Sequence, residues 1–143
     1  MATSSLIQFL AAGEAGDSSN RRQVETFLAG GAISEGDWVA LDSSQAGADR
    51  VLYVVEAAAS ATGGVAIGVA TEDAAAGERL DVVVAGYYPT AKVTTGVALN
   101  APLSVDTTNG RADAADAANV VICGVCLELA AANVAPVHVY KRF

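Results

Sequence analysis

The sequence predicts a mainly β fold, a small barrel or sandwich of short antiparallel strands with a repeated hairpin unit and an extended N-terminal arm. Three observations predict it. Apolar residues alternate with smaller ones over short runs, most plainly at Val65, Ile67 and Val69 and again at Leu80, Val82 and Val84. That period of two belongs to strands with one buried face. Turn signals rich in Gly, Asp, Asn and Ser recur at about the 8–12-residue spacing of all-β proteins. Finally, Gly68-Val-Ala-Thr-Glu-Asp-Ala-Ala-Ala-Gly77 returns in weaker form as Gly124-Val-Cys-Leu-Glu-Leu-Ala-Ala-Ala-Asn133, and Val137 and Val139 then follow as Val82 and Val84 do.

Taken in order, residues 1–22 form the arm and residues 23–143 a single β domain. The arm carries a short apolar patch, Leu6, Ile7, Phe9 and Leu10, too short for a stable lone helix. The run Gly13 to Arg22 is dense in Gly, Ser, Asp and Asn, which favours loop or extended chain. This segment reads either as an arm that orders on docking or as a first edge strand folded onto the domain. Val24 to Ala29 is a strand ending at Gly30-Gly31. Glu35-Gly36-Asp37 places a glycine where a tight reversal needs one, and Trp38 to Leu41 is the strand after it. Gln45 to Asp49 is a polar turn, Val51 to Val55 a strand, and Ala57 to Gly64 a small-residue, turn-rich link.

The central hairpin comes next, with Glu72, Asp73, Gly77 and Glu78 at its turn; Tyr87, Tyr88 and Pro89 are expected to close it, because proline cannot continue a central ladder. Apolar positions Val93, Val97 and Leu99 surround Gly96, and Leu103 to Val105 is a short strand. Asp106 to Asn119 reads as a long polar loop with a hairpin turn at Thr107 to Gly110, and Val120 to Phe143 as the second copy of the central unit with an extended, partly basic tail.

Composition narrows the function. The 143 residues are 52 % apolar yet only 6 % aromatic, so alanine, glycine and valine make the core and favour close backbone packing. The formal net charge of −8 repels phosphate backbones, which argues against nucleic acid as the partner. So hydrophobic a chain with few charges suggests apolar area held for a partner interface. No apolar run reaches the roughly 18 residues of a spanning helix, and no basic stretch precedes the Leu6–Ala12 patch as a secretory signal requires, so no membrane partner and manufacture in a cytosol-like compartment are expected.

Chemistry-bearing residues are few. Cys123-Gly-Val-Cys126 has the spelling of a redox or metal motif, but its flanks are strand-like and no histidine or second pair accompanies it. Positions three apart on a strand face opposite sides, so these read as buried, inert thiols. His138, the only histidine, alternates with Val137 and Val139 and reads as solvent-facing or interfacial rather than catalytic. Glu72, Asp73 and Glu78, with Glu128 as the counterpart of Glu72, read as a solvated rim rather than a glycosidase pair, because one Trp and four Tyr offer little sugar-stacking surface. No glycine-rich phosphate loop is present. No catalytic, cofactor-binding or metal-ligating set emerges, so no cofactor is expected and the chain does not read as an enzyme. Arg21 and Arg22 near one end, and Lys141 and Arg142 near the other, interrupt an otherwise acidic chain.

Phe27-Leu-Ala-Gly-Gly-Ala-Ile-Ser-Glu-Gly-Asp-Trp-Val-Ala-Leu41, then Ile67-Gly-Val-Ala-Thr-Glu-Asp-Ala-Ala-Ala-Gly-Glu78 and a valine-rich strand, resembles the capsid decoration (cement) proteins of tailed bacteriophages. The resemblance spans roughly Val24 to Tyr140; the Asp/Ala-rich stretch at Arg111–Asn119 and the two-cysteine spelling are not part of that family's pattern. It implies a structural virion protein, made in the host cytoplasm, that binds the outer surface of the phage head and stabilises contacts between major capsid subunits, often as a homotrimer. The contacts expected from exposed apolar and basic residues are Leu6, Ile7, Phe9, Leu10, Arg21 and Arg22 at one end, and Tyr140, Lys141, Arg142 and Phe143 at the other. The competing readings are a carbohydrate-binding β-domain, whose aromatic platform would come from Trp38, Tyr53, Tyr87 and Tyr88, and a receptor-binding or fibre-base domain of the same virion. Trp38 sits in an alternating strand and is expected in the core.

Overall fold

The computed structural model describes residues 22–58, 65–105, 108–117 and 121–142. Among them nine strands follow in order: β1 (Gln23–Ala29), β2 (Trp38–Leu41), β3 (Tyr53–Glu56), β4 (Ala66–Ala70), β5 (Arg79–Lys92), β6 (Pro102–Val105), β7 (Ala112–Ala114), β8 (Gly124–Cys126) and β9 (Val134–Val139). One 3-10 helix, Gly47–Val51, precedes β3. The expected mainly β class is therefore what the chain adopts.

Hydrogen bonding links the strands in the order β1-β3-β2-β4-β5-β9-β8-β6-β7, and β1 also pairs with β5. That extra pairing closes β1, β3, β2, β4 and β5 into a five-stranded barrel. All pairings between these strands are antiparallel except that of β1 with β3, where Leu28 lies opposite Tyr53. β5 is 14 residues long and belongs to both layers. Its first half, Arg79 to Ala85, pairs with β1; from Gly86 onward it pairs with β9 and opens a second sheet of β9, β8, β6 and β7.

Two apolar cores result, and the period of two sorts residues between them. Phe27, Val39, Val54, Ile67, Leu80, Val82 and Val84 fill the barrel. Trp38, Ala40, Val69 and Val83, their neighbours in sequence, face outward and are covered by Tyr88, Leu103, Val105, Cys126, Val137 and Val139. β4 is consequently buried along its whole length. Trp38 is in the core, as expected, and its indole N–H donates to the Lys92 carbonyl at 3.1 Å.

A single turn design recurs in both layers. Gly36, Gly77 and Gly96 have φ of 85°, 86° and 94°, the left-handed conformation that a type II turn demands at its third position. In each, the residue after the glycine donates its N–H back across the turn: Asp37 to Ser34, Glu78 to Ala75 and Val97 to Thr94. In the first two, the acid side chain also returns to the turn's opening N–H, Asp37 to Ser34 at 2.7 Å and Glu78 to Ala75 at 2.8 Å.

The internal repeat has a physical counterpart. A Cβ on Gly68 would lie 2.3 Å from the Val83 carbonyl oxygen, and one on Gly124 would lie 2.5 Å from that of His138, so both positions need a bare backbone against the next strand. The copies keep one register: Val69 faces Val83, and its counterpart Val125 faces His138, which stands between Val137 and Val139 as Val83 stands between Val82 and Val84. The second copy reaches that register with a connection one residue shorter. Ala132 and Asn133, at φ of 53° and 59°, make a two-residue loop between Ala131 and Val134 where the central copy has a wider one.

Three expectations about elements need correction. β5 does not stop at Pro89 but continues to Lys92, because Pro89 falls at the irregularity in pairing between Tyr88 and Ala91, where a missing N–H leaves no ladder position empty. Val51 and Leu52 lie in the 3-10 helix and turn before β3 rather than in the strand. The expected long loop from Asp106 contains β7, which pairs with β6 from Leu103–Ala114 to Val105–Ala112. Gly110, at φ of 71°, turns the chain there, while Thr107 lies outside the described residues.

Candidate interface

Both cysteine thiols are buried. Cys123 Sγ donates to the Leu103 carbonyl at 3.3 Å and Cys126 Sγ to that of Glu128 at 2.8 Å. Burial pushes the Cys123 thiol up to about 12 and raises that of Cys126 as well, which starves both of the reactive thiolate. They pack in the same core, not on the opposite faces expected, because Cys123 precedes β8 and escapes its alternation. His138 is exposed, with its ring edge-on to Tyr140 at a centroid distance of 6.0 Å.

The rim carboxylates are exposed as expected, but they are structural acceptors. Glu72 accepts the backbone N–H of Asp81 at 3.1 Å, and Asp73 that of Glu35 at 2.7 Å. Asp73 thereby ties the central turn to the Ser34–Asp37 turn, beside the bridge between Ile33 and Ala74.

Sequence reasoning took Asp37 only for a turn residue and missed the charge network beneath it. Asp37 is 1 % exposed and forms an ion pair with Lys92 at 2.5 Å. Glu56 lies beside Asp37 against Gly110, where a Cβ would meet Asp37 at 2.9 Å and Glu56 at 3.3 Å. Partial desolvation, then the hydrogen bond and charge of Asp37, raise the Glu56 carboxyl above its ordinary value. Nearby, Glu35 accepts hydrogen bonds from the Tyr88 phenol and, at 2.7 Å, from Thr90. Burial first, and the Glu35 carboxylate second, push Tyr88 up to about 12. Tyr88, Thr90 and Lys92 lie more than fifty residues from the acids they meet, so no local spacing announces them. The network joins the Ser34–Asp37 turn, β3, β5 and the Gly110 turn.

The remaining function-bearing surface is the outside of the molecule. Of the expected contact residues, Leu6, Ile7, Phe9, Leu10, Arg21 and Phe143 lie outside the described residues. Arg22, Tyr140, Lys141 and Arg142 are exposed. The fold brings Arg22 near the Tyr140–Arg142 tail: Gln23 lies opposite Ala85 on one side of β5, and Val139 opposite Gly86 on the other. Arg22 and the Tyr140–Arg142 tail therefore flank the waist between barrel and second sheet. Arg142 donates to the Ile122 carbonyl, which pins part of that tail.

The phage cement protein family matches residues 51–141, a stretch that takes in β3 to β9. No curated protein matches. Among solved structures, the chain is similar to the N base of the head fiber gp8.5 of bacteriophage phi29, with a TM-score of 0.58 over 83 % of this chain and 94 % of that one. At 13 % identity that likeness establishes a shared fold. The barrel with its second sheet thus recurs in another phage protein, and the family match takes in three of the five barrel strands and the whole second sheet. This chain belongs to the phage cement protein family, as a structural component of the virion.

Proposed function

We propose that this protein decorates the outer surface of the phage head as a homotrimer and stabilises contacts between neighbouring major capsid subunits. The observation that carries the reading is the cement-family match over residues 51–141. The physical character of the chain supports it. A net charge of −8 disfavours DNA, and many identical modest contacts become strong through multivalency on a lattice. The contacts we propose are the N-terminal residues Leu6, Ile7, Phe9, Leu10, Arg21 and Arg22, and the C-terminal residues Tyr140, Lys141, Arg142 and Phe143. Residues 1–22 act as the arm and residues 23–143 as the body.

Heads lacking the protein are predicted to release DNA at a lower temperature than heads to which it has been added back. Equal release temperatures would sink the stabilising role. Sedimentation equilibrium of the free protein at three times the monomer mass supports the trimer, and a monomer mass at every concentration contradicts it. The carbohydrate-binding alternative needs an aromatic platform. Trp38 and Tyr88 are buried and Tyr53 and Tyr87 half-buried, which disfavours it.

A further inference from the structure

The wall of the barrel is incompletely paired along one side of β1. Leu28 and Gly30 donate their backbone N–H groups to the Leu52 and Val54 carbonyls, at 2.8 Å each. Alternation along a strand therefore aims the N–H and C=O groups of Val24 and Thr26 at that same side. Among the described residues no strand lies beside them, because β3 begins at Tyr53, opposite Leu28. An open strand edge is a template for another strand.

Next to this edge runs a groove of about 510 Å³, lined by Glu25, Thr26, Phe27, Leu41, Val51 and Leu52. Two of the eight exposed large apolar side chains among the described residues line it, Val51 at 62 % and Leu52 at 47 %, and a third, Val24 at 41 %, stands on the open-edged strand itself. Open backbone groups and exposed apolar surface on one seam call for an extended apolar segment, which satisfies both at once.

We propose that Leu6–Leu10 of the same chain adds to β1 as an antiparallel strand and fills this groove. Its chemistry fits: four of its five residues are large and apolar, and as a strand it presents a row of backbone donors and acceptors. So does its tether. Ala11 to Arg22 gives a connection of twelve residues to Gln23, rich in the Gly, Asp, Ser and Asn that reverse a chain. A tether that short holds the segment near its groove at an effective concentration of about millimolar, far above that of a second copy in dilute solution. The period of two divides the segment: either Ile7 and Phe9 or Leu6 and Leu10 enter the groove, and the other pair faces outward. This narrows the N-terminal contact proposed above, and rests on that reading only in leaving the outward pair to the head; the added strand itself belongs to the free protein.

Amide hydrogen exchange on the free full-length protein, away from any head, tests it. The Val24 and Thr26 amides are expected to be protected as well as that of Leu28, equally before and after tenfold dilution. One of two paired variants, Ile7→Asp with Phe9→Asp or Leu6→Asp with Leu10→Asp, is expected to speed exchange at Thr26 by at least about 100-fold, with Leu28 unchanged. Three results would overturn the proposal: Thr26 exchanging as an exposed amide in the unaltered protein, protection that both paired variants leave intact, or protection that falls on dilution. The last would assign the groove to a second copy.

Discussion

At the scale of single residues, the turn glycines and the buried charges make the sharpest predictions. Tyr88 is one of four tyrosines, and the only one whose phenol is buried against a carboxylate that it bonds. A spectrophotometric alkaline titration is expected to show one phenol ionising at about 12, and Tyr88→Phe to abolish that step while the other steps stay. Glu56 makes a prediction about pH. Its carboxyl is raised in the folded protein, so the folded state binds that proton more tightly than the unfolded state does. Stability from this group is present at low pH and declines as pH rises from the ordinary carboxylate range through the raised value. Glu56→Gln removes the ionisation. The variant is expected to gain on the parent protein between acid and neutral pH in urea melts, and a gap that does not change with pH would contradict the assignment. Gly31 and Gly68 form a matched pair. A Cβ on Gly31 meets nothing within 4 Å, so Gly31→Ala is expected to stay within about 0.5 kcal/mol of the parent. Gly68→Ala drives its methyl into the β5 backbone and is expected to cost about 1–3 kcal/mol.

At the scale of elements, much of the fold was legible because period and turn chemistry agree. β2, β4 and the start of β5 read off their alternation, and Glu35-Gly36-Asp37 reads as a reversal because glycine alone takes φ near +85° without strain. The rest was hidden for identifiable reasons. Pro89 argues for a strand end by its chemistry, yet the pairing irregularity that excuses it is set by β9, forty-odd residues away. Val51 and Leu52 have strand-like side chains but sit in the turn before β3, where tertiary packing overrides propensity. Ala112–Ala114 carries no strand signal of its own and becomes β7 only through β6. The candidate site divides the same way. Burial of the cysteines and exposure of His138 follow from local pattern, whereas the Asp37–Lys92 pair depends on β5 returning beneath the first turn.

At the scale of the molecule, the two cores share the wall made by β2, β4 and β5. Trp38 stands on its outer side, against the second sheet. Trp38→Ala is expected to cost about 3–5 kcal/mol in chemical denaturation, and to loosen the second sheet from the barrel along with it. A change of less than about 1 kcal/mol would mean that the sheet packs there loosely. Continuity of β5 through both layers makes the barrel and the sheet one load path, suited to a protein whose proposed work is to resist separation of capsid subunits. The exposed basic residues Arg22 and Lys141 lie on either side of that strand near its midpoint. Whether the molecule decorates heads is tested most directly by sedimenting the purified protein with isolated heads that lack it. The account predicts co-sedimentation that saturates at a fixed number of copies per capsid subunit. Protein left in the supernatant at every concentration would contradict it.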